Sequence, residues 1–176
     1  DRFRPISRAA SGERDYILEL LMEHDSVDLS YDDCIGVTYE QVHADPEATL
    51  AEIVDRFHAV EEQCDSVLVI GSDFTDVASP SELSFNARIA ANLGTPMLLA
   101  LKAADRSPDE VVSLAEVCLA EIRGEHAQAV ALIANRCAPD DVDTIQDFAS
   151  ASTLGIVTDL LTIVGMLALM LWLQWD

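Results

Sequence analysis

The sequence is poor in basic residues: ten Lys and Arg stand against 32 Asp and Glu, giving a formal net charge of -22, and Lys102 is its single lysine. A surface of this sign repels phosphate backbones, whereas nucleic-acid binding needs a basic stripe to release counterions. The densest basic group, Arg2, Arg4, Arg8 and Arg14, reads as part of a small-anion pocket or as ordinary surface, and nucleic-acid binding is not expected. Acidity itself says little about the fold. Glycines and prolines are few, seven and six, and aromatics make up 6% of a chain that is 50% hydrophobic. That balance excludes disordered and repeat-built classes. The four cysteines, Cys34, Cys64, Cys118 and Cys137, form no C-x-x-C pair, which argues against a zinc site or a thioredoxin-type redox motif and fits reduced thiols in a cytoplasmic protein. The chain opens on Asp1 with no basic-then-apolar leader, so no signal peptide is read.

Several functional motifs are missing too. There is no G-x-x-x-x-G-K-S/T and no G-x-G-x-x-G opening a helix, so the backbone cradle for nucleotide phosphates is absent from the sequence. Neither a G-x-S-x-G elbow nor H-E-x-x-H occurs. No catalytic residue, cofactor or metal is therefore expected.

At 176 residues the chain accommodates one domain with a real core plus an appendage. Residues 13–24 place Ile17, Leu20, Leu21 and His24 at helical steps. VTYEQV, residues 37–42, alternates like a short strand, behind turn chemistry at Ser30, Asp32 and Asp33. Asp45-Pro46 supplies a cap and a first-turn proline for a helix running to about Gln63, with Leu50, Ile53, Val54, Phe57 and Val60 as its buried stripe. SVLVIG, residues 66–71, is a continuous apolar run of the kind found in central parallel strands covered on both faces. The pattern then repeats: a helix over NARIAANL closed by Gly94, a strand in TPMLLAL, a helix from Ser107-Pro108 closed by Gly124, a strand in AQAVALIAN, and a fourth helix over 140–150. Apolar strands alternating with helices predict an α/β fold, a parallel sheet built with right-handed βαβ crossovers.

Such sheets bind ligands beyond the carboxyl ends of their strands. The candidate ligand-binding residues there are Asp73, Thr75 and Asp76 after the first clear strand and Asn135 and Arg136 after the last. Two carboxylates at a strand end can hold Mg²⁺ through water. Asp73 and Asp76 can equally close a turn by accepting from backbone amides, and Asn135-Arg136 can contact a planar ligand or cap the next helix. His24 and His58 sit on helix faces beside apolar residues, where histidines usually pack.

FRPI, ERDYILELL, VTYEQVHAD, AEIVDRFHAVEEQCDSVLVIGSDFTDV, LSFNARIAANLGTPMLLAL and VALIANRC, taken in order and spacing, resemble the N-terminal domain of long-form phosphate acetyltransferases of the actinobacterial type. The likeness covers residues 2 to about 156. That domain is similar to dethiobiotin synthetase, a P-loop-type fold in which a second strand ends in a Lys/Arg-Pro dipeptide. Arg4-Pro5 matches the dipeptide, which implies that a first strand, phosphate loop and first helix would precede Asp1. The synthetases' metal-binding Glu-Gly pair falls here on Ile70 and Gly71, and an isoleucine cannot ligate magnesium. The resemblance also implies that acetyl transfer belongs to a separate C-terminal domain, so no acetyltransferase residue carries over to this chain.

After Ile156 the likeness ends in VTDLLTIVGMLALMLWLQWD. Residues 157–176 read as an apolar tail beyond a partial domain of residues 1–156. Its roughly 16 uncharged residues fall short of the roughly 20 that cross a bilayer, and including Asp159 costs about 3 kcal/mol at the bilayer centre. The flanks carry no Lys or Arg anchor, which counts against a membrane span. A truncated or frameshifted end and a buried helix or oligomer contact are the other readings. The functional expectation is a non-catalytic regulatory or assembly domain of a phosphate acetyltransferase-like protein, homo-oligomeric and responsive to a small metabolite. The alternatives are a degenerate dethiobiotin synthetase-like ATP-binding fragment and a membrane-tethered interaction module.

Overall fold

The computed structural model describes residues 1–9, 13–23, 29–72 and 80–137. The sequence-predicted helix over 140–150, the tail 157–176 and His24 lie outside the described residues. Eleven elements follow one another among the described residues: β1 (Arg2–Ser7), α1 (Tyr16–Met22), α2 (Tyr31–Cys34), β2 (Ile35–Thr38), α3 (Tyr39–Ala44), α4 (Pro46–Glu61), β3 (Leu68–Val69), α5 (Pro80–Leu93), β4 (Met97–Lys102), α6 (Pro108–Gly124) and β5 (Ala129–Asn135). They divide into two units, Asp1–Met97 with Cys118–Val130, and Leu98–Val117 with the chain from Ala131.

The first unit is built on a parallel sheet in the order β2-β1-β3. α4 forms where the sequence predicts it. The Asp45 carboxylate accepts from Ala48 N at 3.1 Å, and Pro46 takes the first helical position, where a missing N–H costs nothing. Leu50, Ile53, Phe57 and Val60 are buried with Phe3, Ile6 and Val37 from the strands and Phe85 and Ile89 from α5. Phe3 and Phe57 meet edge to face with centroids 5.9 Å apart. Burying side chains of this size stabilises the fold by about 1.5–3 kcal/mol each. Val54 is only half-buried.

Local capping corrects the sequence reading of residues 30–44. VTYEQV is not a strand: β2 stops at Thr38, and Tyr39–Ala44 is helical. Thr38 and Gln41 form a capping box, as do Ser30 and Asp33 ahead of α2. Each satisfies helix N-terminal amides reciprocally, which outweighs the β-type alternation of a six-residue run. In α1 the fully buried residue is Leu18, while Ile17 and Leu20 are 37% and 41% exposed. The helix starts at Tyr16 behind its Asp15 cap, and this sets its buried face one residue away from the expected stripe.

The SVLVIG run is also shorter as a strand than its composition suggests. β3 spans two residues and pairs with β1 through Arg2↔Leu68 and Phe3↔Val69. Leu68 is 64% exposed, so the run is not a strand covered on both faces. The ladder carries on only as far as Ile70 N, which donates to Phe3 O at 2.8 Å. In the next register position Pro5 faces Gly71, and proline has no N–H to give to Ile70 O.

β4 and β5 pair with each other. Met97 N donates to Gln128 O and Ala103 N to Asn135 O, both at 2.8 Å; the partners advance together, so these strands run parallel. The sequence predicts both as fully buried, yet β4 buries only Leu99 and Leu101 on one side, and on β5 Val130 and Ile133 are 59% and 48% exposed. On α6, Val111, Ala115, Cys118 and Ile122 are buried at helical spacing. Within the second unit, Ala103 and Val111 form a small cluster with Ala134 and Cys137. Among the described residues no helix is long and apolar enough to cross a membrane.

Candidate functional site

The chain passes from β1 to β2 on one side, then returns across β1 to place β3 on the other. This reversal makes the carboxyl ends of β1 and β3 a topological switch point, the usual location of a ligand in an open parallel sheet. Ser7, Arg8 and Ala9 stand at the end of β1, and Ile70, Gly71 and Ser72 at the end of β3. The Asp15 cap of α1 and the first turns of α5, with Glu82 and Asn86, supply the side chains around them.

Side chains take over where the ladder fails at Pro5. The Arg4 guanidinium, 2% exposed, donates through Nη1 to Ile70 O at 3.2 Å and also to Gly71 O. Its Nε donates to Asp15 Oδ2 at 3.4 Å, while Asp15 Oδ1 accepts from Leu18 N at 3.1 Å. One carboxylate thus caps α1 and pairs with the buried charge. On the other side of the same gap, Ser72 N donates to Asn86 Oδ1 at 3.1 Å. Asn86 Nδ2 donates to Ser72 Oγ at 2.7 Å and to Glu82 O at 2.8 Å. Arg4 thus supplies to Ile70 O the donor that Pro5 lacks, and Asn86 takes up Ser72 N. Arg4-Pro5 lies inside β1 and not at its end as the dipeptide comparison implies, and the arginine is a structural clasp.

Above this clasp lies a second polar group. Arg8 Nη2 donates to Glu82 Oε1 and Oε2 at 2.9 and 2.7 Å. The Tyr39 hydroxyl donates to the same Oε1, and the Arg8 guanidinium carbon stands 5.7 Å from the Tyr39 ring centroid. The hydrogen bond to Glu82, helped by burial and the nearby carboxylate charge, raises the Tyr39 phenol above its ordinary value, so it stays protonated and remains a donor at neutral pH.

The four early arginines do not share one surface. Arg4 and Arg8 hold Asp15 and Glu82, Arg14 stacks over Tyr31 at 4.4 Å and pairs with Glu19, and Arg2 donates to Leu21 O. Asp73, Thr75 and Asp76 lie outside the described residues. Asn135 is the last residue of β5 and Arg136 follows it, both exposed; Arg136 has a φ of 62°, the left-handed region that non-glycine residues seldom occupy. His58 is exposed and pairs with Glu61 on its own helix at 3.1 Å, a surface contact. Burial raises the thiols of Cys34 and Cys118, which keeps them unreactive. Among the described residues no group of three or more His, Cys, Asp or Glu could hold a metal ion.

Tyr39, Glu82 and Asn86 are absent from the sequence reading. One signal was available: Ser79-Pro80 repeats the Ser-Pro start of α6, and a helix begun there puts Glu82 and Asn86 one turn apart beside a strand end.

Parallel strands wound in both directions around β1, with helices between them, define a doubly wound α/β domain. A family model described as an AAA domain matches residues 3–166, and the chain belongs to that family. It is 28% identical over 140 residues to a phosphate acetyltransferase of Nitratidesulfovibrio vulgaris, covering 76% of this chain and 20% of that protein. It is also 28% identical over 150 residues to a phosphate acetyltransferase of Synechocystis sp., covering 82% of this chain and 22% of the relative. The chain thus spans about a fifth of the length of these relatives. No solved structure matches it.

Proposed function

We propose that this chain is a non-catalytic regulatory or assembly domain of a phosphate acetyltransferase-type protein, related to the N-terminal domain of the actinobacterial long form. The parent reaction would interconvert acetyl-CoA plus phosphate with acetyl phosphate plus CoA. The observation that carries this reading is coverage: phosphate acetyltransferases match three quarters or more of this chain over only a fifth of their own length, as expected of one domain shared with a much longer enzyme. The switch point adds to it, since the buried Arg4, Asp15 and Asn86 there are engaged with the domain's own backbone. In this reading the domain is cytoplasmic, self-associates and answers a small metabolite, with Asn135 and Arg136 exposed at a strand end and Asp73, Thr75 and Asp76 as further candidates.

The purified chain should release no CoA from acetyl-CoA in phosphate buffer and should sediment as an oligomer. Turnover by the chain alone, or a strictly monomeric species, would contradict the proposal. Membership of an AAA domain family favours a second reading, a degenerate ATP-binding domain, which nucleotide titration separates from the first.

A further inference from the structure

We propose that the open face of the β4–β5 sheet is the docking surface of this chain's own apolar segment, residues 160–173. The two faces of that sheet differ. Ala103 and Ala134 pack with Val111 of α6, and strand alternation puts Leu99 and Leu101 on the same side, where both are buried. The opposite side carries Leu98 and Ala100 from β4 and Ala131 and Ile133 from β5, all exposed; Leu98 is 57% and Ile133 48% open to solvent. These four residues all belong to the second unit. Parallel sheets have both faces covered. Here α6 covers one face, and among the described residues the other stays open.

The occupant follows from the sequence. In a chain of net charge -22, residues 160–173 contain no charged side chain and are mostly Leu, Ile, Val and Met. β5 ends at Asn135, and the chain between Cys137 and Leu160 is ample to turn back along a strand of about 20 Å, which about six extended residues span. Docking the segment on the face removes both apolar surfaces from water in one step. A bilayer suits the segment less well: it is shorter than the roughly 20 residues a span needs, and its flanking charges are Asp159 and Asp176. The assignment does not depend on the regulatory reading of the domain.

Both tryptophans of the chain, Trp172 and Trp175, lie in or beside this segment, so tryptophan emission reports on it alone. In the dilute, folded chain the emission should be blue-shifted from its position in urea and shielded from acrylamide. Leu98→Asp with Ile133→Asp charges the face without removing a fully buried side chain, and should move the emission to its position in urea and open it to the quencher. Val117→Asp, at a 59% exposed position on α6, is the control and should change neither. Unchanged emission in the folded face variant, or an equal shift in the control, overturns the proposal. So does emission shielded only at high protein concentration, which makes a second copy the occupant, or only with phosphatidylcholine vesicles, which makes it a bilayer. Should the face variant not fold, Leu167→Asp with Leu171→Asp charges the segment instead. The sheet face is then uncovered and binding of an apolar dye should rise; an unchanged dye signal overturns the proposal. CoA release tests the regulatory reading separately.

Discussion

Gly36→Ala is expected to abolish the cooperative thermal transition of the first unit. A Cβ at this position would lie 2.2 Å from the Pro5 carbonyl oxygen, 2.8 Å from its carbon and 2.9 Å from its Cα. All three atoms are backbone, so no side chain can swing away. β1 cannot yield either: Arg4↔Ile35 and Ile6↔Val37 fix its register on both sides of Pro5, and the proline ring fixes its own φ. Relief requires separating β1 from β2, and with it the core of Phe3, Ile6 and Val37. The cost should reach about 3 kcal/mol or more, the upper end for overpacking and a large share of a typical domain's stability. Gly124, where an added Cβ meets nothing within 4 Å, provides the control: Gly124→Ala should stay within about 0.5 kcal/mol of the parent. A Gly36→Ala protein with an unchanged urea midpoint would show that the β1–β2 approach is wrong.

Arg4→Leu should be almost as damaging, for electrostatic and not steric reasons. The substitution removes the partner of Asp15, 4% exposed, and leaves the carbonyls of Ile70 and Gly71 without the donor that replaces Pro5. Breaking one side of a buried pair costs about 3–5 kcal/mol, because the remaining charge stays buried. Asp15→Ser keeps an N-cap acceptor for Leu18 without the charge. The double variant Arg4→Leu, Asp15→Ser should therefore recover part of the lost stability in a denaturant titration. If Arg4 were instead a ligand-contacting residue, Arg4→Leu would leave the unfolding midpoint in place.

These two positions also show what the sequence makes legible. Asp45-Pro46 announces α4 because cap and first-turn proline are local chemistry, and the resulting stripe of Leu50, Ile53, Phe57 and Val60 is buried as its spacing requires. The parallel α/β class follows from apolar runs alternating with helices. The length of β3 does not follow from SVLVIG, since what ends the ladder is Pro5, more than sixty residues earlier. The site divides in the same way. Arg4-Pro5 stands out in the sequence, but its role in bridging a missing ladder bond depends on the Pro5–Gly71 register. Tyr39 and Glu82 are 43 residues apart, and only the fold brings them together. VTYEQV misleads because six residues of alternation weigh less than the Thr38–Gln41 capping box.

We propose that, among the described residues, the ends of β1 and β3 are engaged with the domain's own backbone and not with a nucleotide. Calorimetric titration of the purified chain with Mg²⁺-ATP tests it most directly. The account predicts no saturable heat, with any affinity weaker than about 1 mM. Saturable binding with a Kd of about 1 μM would contradict it and make this chain a nucleotide-binding domain.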